Sequence, residues 1–373
     1  MAGHELRVLH SAALSKPSLG VIRQMCWEQH SAIELGLQWD VALYCIECGN
    51  EAESIAHVDS SVLWHFTDNT VRKAVSWIRF LRNYYTWLAE QANNYDVFLL
   101  RYNVHDPFQL YFLYKCKKPV FLIHHTLEER ELAMRPGFVS FLRTYSEKYI
   151  GRLSLRKATG LIGVTKEIVE YEKNRSGLKN IKGYVYPNGI KYKKQPLGYS
   201  STTDLHIIFV ATQFSPWHGL DLIINAANEL TDRFIIHLVG DVSLADKLAM
   251  CSDDRFICHG LRSEAEIEEI AKHCTLGLSS FALSRKGMKE ASTLKVREYL
   301  ALGLPVYAGY KDVFPTDFKY YRQGEADLRK VLKYALEMAS ESKEQISLAA
   351  SPYIDKRNLL TELYESIAIG QKK

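Results

Sequence analysis

The chain has 373 residues, of which 47% are hydrophobic and 24% are charged. A typical domain has roughly 150 residues, so the length predicts two core-forming domains, and the composition excludes a disordered or fibrous protein. The 47 basic and 43 acidic side chains give a formal net charge of +4. This excess is too weak to indicate a nucleic-acid-binding protein, and we expect no nucleic-acid partner.

Neither a leader segment nor a membrane span is predicted. Residues 1–10 lack the cationic start and apolar stretch of a signal peptide, and no apolar run approaches the roughly 20 residues of a transmembrane helix. Of the seven cysteines, only Cys45 and Cys48 have metal-like spacing, and no second pair accompanies them. We therefore predict reduced thiols, no metal site and a cytoplasmic location.

Short apolar, β-branched or aromatic runs alternate with helix-like stretches, which predicts βαβ units and parallel sheets. The predicted strands of the first half are 6–9, 41–46, 97–100, 120–123 and 161–164. Those of the second half are 207–211, 234–239, 256–258, 276–278 and 305–308. The predicted fold class is α/β, with two Rossmann-like, doubly wound parallel-sheet domains that face each other across a cleft.

A turn and a polar tract divide the chain near its middle. Residues 186–190 read Tyr-Pro-Asn-Gly-Ile, which is turn chemistry, and the tract 191–204 has few apolar residues, as a linker does. We predict an amino-terminal domain at 1–190 and a carboxy-terminal domain at 191–350. The segment 351–373 has apolar residues at helical spacing and is predicted to pack as a helix across the domains.

Two segments of the first half, 71–88 and 138–157, interleave basic residues with aromatic and aliphatic ones. Two interpretations stay open. Each segment is either a core-facing helix with a solvated basic side or an amphipathic helix at an anionic membrane surface. The second interpretation predicts a peripheral membrane protein.

The segment 287–306 predicts a helix that opens a binding site. Ser292 or Thr293 is a good N-cap, and Gly303 fits the end of the helix. The free amides at Thr293 and Leu294, together with the helix dipole, predict an anion site suited to a diphosphate.

Two glutamates flank this anion site. Glu290 precedes the helix and Glu298 lies within it, about six residues from its start. This geometry suits a nucleotide sugar, with Glu290 bonded to hydroxyls of the sugar and Glu298 to those of the ribose. Two glutamates eight residues apart are nevertheless common, and spacing alone favours solvated surface charges.

Glu290 and Glu298 match the E-x7-E motif of the retaining GT-B glycosyltransferases, and 294–306 resembles their donor helix, especially in family 4. The similarity continues in order through the segments 186–189, 209–221, 238–241 and 256–260. The resemblance implies the GT-B fold and a retaining, hexosyltransferase-type enzyme with a UDP-sugar or GDP-sugar donor. It also implies four donor-binding residues at the helix start, which are Ser292, Thr293, Leu294 and Lys295.

The first half resembles the family more weakly. Residues 122–126 end a strand with two histidines, and His125, which Thr126 follows, is the better match to the family's strand-end histidine. The resemblance implies that His125 and Glu290 act in catalysis. Gly20, after the first strand, is a candidate for a loop where the backbone approaches phosphate or acceptor, and a plain turn is the alternative.

One departure from the family concerns the diphosphate. Many relatives carry an Arg and a Lys after the first strand of the second domain, and the matching donor-binding positions here are Gln213 and His218. Two ways of compensating are expected: protonation of His218, or cations near the donor helix. Those cations are Arg285, Lys286, Lys289 and Lys295.

The implied reaction transfers a sugar to a glycan or polyprenyl-linked acceptor, as in bacterial surface-polysaccharide synthesis, without a cofactor or an essential metal. Two alternatives stay open. One is a GT-B epimerase, and the other is a catalytically silent membrane-surface or assembly subunit. The missing Arg and Lys and the two basic aromatic segments favour the silent subunit.

Overall fold

The computed structural model describes residues 5–47, 52–61, 70–134, 136–193 and 205–371. They belong to two compact units: unit 1 is Met1–Pro187 with Lys356–Lys373, and unit 2 is Asn188–Asp355. Cys48 and most of the predicted linker, 194–204, lie outside the described residues.

Unit 1 contains a seven-stranded sheet in which every pair of neighbours is parallel. Its strands are β1 (Val8–Leu14), β2 (Trp39–Cys45), β3 (Ala56–Val58), β4 (Val97–Arg101), β5 (Val120–His124), β6 (Gly160–Gly163) and β7 (Lys182–Val185). Their order is β3-β2-β1-β4-β5-β6-β7. The order reverses between β1 and β4, which creates a topological switch point at the carboxyl ends of these strands.

Helices cover both faces of this sheet. They are α1 (Leu19–Leu35), α2 (Thr70–Glu90), α3 (Pro107–Lys115), α4 (Glu128–Ala133), α5 (Phe138–Lys157), α6 (Lys166–Ser176) and the last helix of the chain, α13 (Lys356–Gln371). In β4, Val97 and Leu99 enter one core cluster, whereas Phe98 and Leu100 enter another. Because both faces are buried, the central strands are continuous apolar runs in the sequence.

Unit 2 contains a six-stranded parallel sheet in the order β10-β9-β8-β11-β12-β13. Its strands are β8 (Leu205–Gln213), β9 (Phe234–Asp241), β10 (Phe256–Gly260), β11 (Leu276–Leu278), β12 (Val306–Ala308) and β13 (Tyr321–Gln323). Its helices are α7 (Leu220–Asn228), α8 (Leu244–Ala249), α9 (Glu264–Lys272), α10 (Leu294–Ala301), α11 (Leu328–Met338) and α12 (Lys343–Ile354). The switch point of this sheet lies between β8 and β11.

All ten predicted strands are present, and the predicted α/β class is confirmed. Three further strands were not predicted: β3, β7 and β13 are short and largely exposed edge strands without an apolar run. The first strand begins and ends later than predicted. That strand continues through His10 and Ser11, which are polar but buried.

The two basic aromatic segments both form helices, but they differ in whether their large apolar side chains are buried. Helix α2 buries an aromatic and aliphatic face made of Phe80, Leu81, Tyr84, Tyr85 and Leu88. The core-facing interpretation therefore describes α2. Its exposed side includes Arg79 and Arg82.

Helix α5 instead turns its large apolar side chains outward. Phe138, Phe141 and Tyr149 are 74%, 65% and 59% exposed, whereas Glu147 and Gly151 are buried. The core-facing interpretation is therefore wrong for these large apolar side chains, although Leu155 of the same helix is buried in a core cluster. Within the described part of the chain, no helix is both long enough and apolar enough to cross a bilayer.

The state of the cysteines differs from the prediction at one position. Cys45 at the end of β2 is disulfide-bonded. Five other described cysteines form no disulfide, and they are Cys26, Cys116, Cys251, Cys258 and Cys274. The prediction of reduced thiols is therefore wrong for Cys45. The lack of a second cysteine pair with metal-like spacing argued against a metal site, but it said nothing about whether a disulfide forms.

Candidate functional site

The carboxyl edge of the unit 2 sheet places polar groups at its switch point. Gln213 ends β8 and is exposed, while Ser279 and Ser280 follow β11 and are buried. The neighbouring β9 passes close to β8 at Gly240, where an added Cβ would lie 1.6 Å from the carbonyl oxygen of Ala211. Ligands of doubly wound sheets bind at this edge, beside the switch point.

The start of α10 belongs to the same unit and offers unfilled hydrogen-bond donors. Thr293 is the N-cap, but its side chain accepts no bond from the first turn. Its Oγ1 lies 2.9 Å from the Tyr310 hydroxyl, which is also 2.9 Å from Ser279 Oγ. Among the residues that the structure describes, no backbone carbonyl or side chain accepts the N–H groups of Leu294 and Lys295. The sequence predicts an anion site at the amides of Thr293 and Leu294, and the first turn of α10 offers such donors together with the positive end of the helix dipole.

Asn188 braces the loop before α10. Its backbone N–H donates to Ser292 Oγ at 2.9 Å, and its side-chain amide donates to the Ser292 carbonyl at 2.6 Å. The Asn188 carbonyl in turn accepts a bond from Arg297 Nε at 3.0 Å. The turn residues at the middle of the chain thus fix the peptide that leads into the anion site.

A buried ion pair holds the same loop from the helix side. The guanidinium of Arg297 donates two bonds to Asp312, at 2.5 and 2.6 Å, and both side chains are fully buried. Arg297 also donates to the Thr293 carbonyl at 3.2 Å. This pair was not predicted from the sequence. Its signal is Arg297, a charged residue directly after Val296, which is buried.

Glu290 and Glu298 lie on either side of the helix start in sequence, and each faces a lysine. The backbones of Glu290 and Lys311 pair in a single parallel β-bridge, and Glu290 Oε1 lies 3.4 Å from Lys311 Nζ. Glu298, the fifth residue of α10, lies 2.8 Å from Lys295 Nζ. Both carboxylates are partly exposed, at 17% and 27%. They remain accessible acceptors for hydroxyl groups.

The helix end also follows the prediction. Gly303 adopts a left-handed φ of +79°, immediately after the C-cap residue Leu302. An added Cβ would lie 2.3 Å from the carbonyl oxygen of Lys343. Only glycine combines this φ with this close approach.

His218 is an acceptor in the free protein. Its Nδ1 accepts the Ser215 backbone N–H at 2.9 Å. Burial, and to a smaller degree Lys286, lowers the pKa of this imidazole below its ordinary value. His218 is therefore neutral near pH 7 when no ligand is bound.

Two of the expected compensating cations are engaged elsewhere in the unit. Arg285 forms a two-pronged ion pair with Asp221 at 2.7 and 2.9 Å and donates to the Pro216 carbonyl at 2.6 Å. Lys286 Nζ lies 4.2 Å from the ring centroid of Trp217. Lys295 lies in the first turn of α10, and its Nζ is bonded to Glu298 Oε2 at 2.8 Å.

In unit 1, the two consecutive histidines occupy different environments. His124 is fully buried, whereas His125 is half-buried and its backbone N–H donates to Glu128 Oε1 at 3.1 Å. No described side chain forms a hydrogen bond with the His125 imidazole itself. Burial, followed by Arg101, keeps the pKa of His125 well below its ordinary value.

Gly20 lies in the first turn of α1, at the carboxyl end of β1. Ser18 is the N-cap of this helix and makes no side-chain cap bond. An added Cβ at Gly20 would meet no described atom within 4 Å. The protein's own packing therefore does not require a glycine here.

No protein-family model and no curated protein matches the sequence. Solved structures match over nearly the whole chain. The lipopolysaccharide outer core galactosyltransferase WaaB, in its apo form, is 12% identical with a TM-score of 0.65, over 98% of this chain and 100% of that one. A glycosyltransferase from Rickettsia africae is 14% identical with a TM-score of 0.67, over 98% and 99%. HepE from Anabaena, in complex with UDP, is 14% identical with a TM-score of 0.63, over 97% and 100%. At this identity the likeness shows the fold, and the chain has the two-domain α/β fold of the GT-B glycosyltransferases.

Proposed function

We propose that the protein is a glycosyltransferase that moves a sugar from a nucleotide sugar to a glycan or lipid-linked glycan, with retention of anomeric configuration. The observation that carries this proposal is the start of α10. The amides of Leu294 and Lys295 have no acceptor among the described residues, and Glu290 and Glu298 flank the helix start in sequence. HepE, which shares the fold, has been solved with UDP and with UDP-glucose, and this supports a UDP-sugar or the related GDP-sugar as donor.

Each part of the donor has a proposed partner in unit 2. The diphosphate accepts bonds from the amides of Leu294 and Lys295, and the Lys295 ammonium adds a positive charge. Glu298 accepts bonds from the ribose hydroxyls, and Glu290 accepts bonds from the sugar. Ser292 and Thr293 shape the loop, and Gln213 and His218 contribute neutral hydrogen bonds to the diphosphate.

The proposed reaction is a front-face substitution. The bond between the anomeric carbon and the diphosphate oxygen breaks, and the acceptor oxygen bonds to the same face of that carbon. The departing oxygen takes the proton of the acceptor hydroxyl. The protein contributes positioning and fixed electrostatics, and the helix amides stabilise the leaving group without a cofactor or metal.

In unit 1 we assign roles to His125 and Gly20. The half-buried imidazole of His125 has no side-chain partner among the described residues, and it is assigned to hydroxyls of the transferred sugar. The open space beside Gly20 Cα admits a phosphate or an acceptor group close to the backbone. These two assignments follow from the family resemblance and from the local geometry of each residue.

We also propose that unit 1 binds an anionic membrane surface through α5. Its exposed aromatic and aliphatic residues stand beside Arg143, Lys148, Arg152 and Arg156. Apolar side chains that enter the lipid boundary and cations that face anionic headgroups together favour such binding. The acceptor is then a lipid-linked glycan at the cytoplasmic face of a bacterial membrane, in surface-polysaccharide synthesis.

A second candidate function is a catalytically silent subunit with the same fold. The observation in its favour is the weak charge around the diphosphate site, because His218 is neutral and Arg285 is paired with Asp221. Such a protein would bind a nucleoside diphosphate and transfer no sugar.

A thermal-shift screen with UDP-, GDP-, ADP- and CMP-sugars tests the proposal, because a ligand that binds only the folded state raises the melting temperature. We expect the sugar nucleotides of one base to raise the melting temperature. Mass spectrometry of the reaction with that donor should then show a glycosylated acceptor. An epimerised donor would indicate the epimerase. Binding without transfer or hydrolysis would indicate the silent subunit, and no shift with any donor would contradict all three functions.

A further inference from the structure

Three side chains of unit 1 converge at the end of β5, outside the proposed donor site. His124 is the last residue of β5, Glu128 begins α4, and Glu172 lies on α6. One potential ligand atom from each lies within 4.8 Å of the others. His124 and Glu172 are 0% and 1% exposed, and Glu128 is 17% exposed.

Two distances from His124 lie near the separation of ligands around one small cation, and the shorter one also allows a hydrogen bond between His124 and Glu128. His124 Nδ1 is 3.1 Å from Glu128 Oε2 and 3.9 Å from Glu172 Oε1. A tetrahedral zinc ion with ligands about 2.0–2.1 Å away holds those ligands about 3.4 Å from one another. The observed distances bracket this value.

One buried oxygen of the cluster lacks a hydrogen bond. Among the described residues, Glu172 Oε1 has no hydrogen-bond partner although it is shielded from solvent, and it lies 3.9 Å from His124 Nδ1. The other carboxylate oxygen of Glu172 is bonded to Arg175 Nε at 2.7 Å. A buried acceptor without a donor is costly, and a cation at this point would remove the cost.

The charges around the cluster also favour a cation. Four carboxylates meet here, and two guanidinium groups face them. Arg175 contacts Glu129, Glu147 and Glu172. The other guanidinium, Arg101, interacts electrostatically with Glu128. One divalent cation would balance the excess of acidic charge while His124 remains neutral.

We propose that His124, Glu128 and Glu172 bind one divalent transition-metal ion of the zinc class. Imidazole nitrogen and carboxylate oxygen are ordinary ligands of such ions, and a water molecule completes the tetrahedron. The ion is structural, because it ties the end of β5 to α4 and α6. The proposal does not rest on the proposed function, since its ligands all belong to unit 1 and bind no sugar.

Calorimetric titration of chelator-treated, full-length protein with ZnCl2 tests the site. We expect one equivalent to bind and the melting temperature to rise. Glu172→Gln and Glu128→Gln should each weaken binding about 100-fold or more, since the loss of outer-shell partners alone costs 10–100-fold. Glu128 is partly exposed, so Glu128→Gln provides a test if Glu172→Gln does not fold.

Two control variants locate the binding. Glu170→Gln changes an exposed glutamate of α6, and His259→Asn changes a second group of neighbouring imidazoles in unit 2. Both should bind zinc as the wild type does, and X-ray absorption should report one nitrogen ligand with oxygen ligands. The proposal is overturned if wild-type protein binds no zinc, if Glu128→Gln and Glu172→Gln bind it normally, or if His259→Asn abolishes binding.

Discussion

Arg297 and Asp312 form a two-pronged ion pair in which neither side chain reaches solvent. Arg297 also bonds to the carbonyls of Thr293, which follows Ser292, and of Asn188, which itself bonds to Ser292. The proposed diphosphate site is therefore held by residues that do not themselves face the ligand. An anion site works only when its amides are already oriented before the ligand arrives.

Replacing Arg297 by Met should destabilise unit 2 strongly. The substitution leaves Asp312 buried without its cation, and breaking a buried pair in this way typically costs about 3–5 kcal/mol. Urea denaturation measures the free energy of unfolding. Arg262→Met, which breaks an exposed pair with Glu266, is the control and should cost far less. Equal losses of unfolding free energy in the two variants would show that the buried pair contributes no more to stability than the exposed pair.

Glu298→Ala should weaken nucleotide binding. If Glu298 bonds to the ribose, its removal deletes charge-assisted hydrogen bonds worth about 1.5–3 kcal/mol, which corresponds to roughly 10–100-fold in affinity. Calorimetry with the nucleoside diphosphate chosen by the thermal-shift screen measures this change. Glu325→Ala, which removes a carboxylate that is 86% exposed, should leave the affinity unaltered. Unchanged affinity in Glu298→Ala would remove Glu298 from the donor site.

The stability of unit 2 should fall in mild acid because of His237. Its ring is bonded to His206 at 2.8 Å and to His259 at 2.9 Å. Burial, and next His206 and His259, lowers the pKa of His237 to about 4. The unfolded chain, with a pKa of about 6.5, then binds the proton more readily. Stability is therefore complete above about pH 6.5 and is lost as the pH falls towards 4.

We expect this loss to be about 1–2 kcal/mol, allowing for partial solvent screening. Thermal unfolding of wild type and His237→Gln between pH 4 and 7.5 measures it. The variant should lose much of the pH dependence in this range, whereas His30→Gln, at an exposed position of α1, should retain it. A wild-type slope that His237→Gln leaves intact would contradict the assignment.

Membrane binding should depend on the outward face of α5. Phe138→Ser/Phe141→Ser removes two side chains that are 74% and 65% exposed, so folding should be unaffected. Flotation with anionic liposomes should show at least a tenfold loss of binding, because each buried aromatic side chain contributes about 1.5–3 kcal/mol. Leu244→Ser/Leu248→Ser on α8 removes a similarly exposed pair from unit 2 and should bind normally.

The same flotation experiment also tests whether the basic side of α2 contacts the membrane. Arg79→Glu/Arg82→Glu should weaken flotation if α2 joins α5 at the lipid surface, since each cation near the surface contributes about 1 kcal/mol. Equal binding by both double variants and the wild type, or no binding by any of them, would contradict the membrane proposal.

Sugar transfer should not require a metal. If the amides of α10 stabilise the leaving diphosphate, turnover at 20 °C should change less than about twofold after treatment with EDTA. A structural ion at His124 would instead be detected as a lower melting temperature. Turnover that EDTA abolishes and Mg²⁺ or Mn²⁺ restores would show that the leaving group is stabilised by a cation.

The sequence alone determined the features that depend on local pattern. Parallel strands buried on both faces are apolar runs, so all ten of the longer or central strands were found, whereas exposed β3, β7 and β13 left no such pattern. The start and end of α10 were also predictable. The N-cap position of Thr293 and the left-handed Gly303 depend on adjacent residues, although the Thr293 side chain accepts no capping bond.

Only the tertiary structure decided which distant side chains meet and which helix faces are buried. The Arg297 pair with Asp312, the brace from Asn188 and the cluster of His124, Glu128 and Glu172 join residues from separate elements. The outward face of α5 is a further case, because its composition resembles that of α2 while its burial is reversed. Composition and spacing specify a helix and its polar and apolar sides, but the packing of its neighbours determines which side faces solvent.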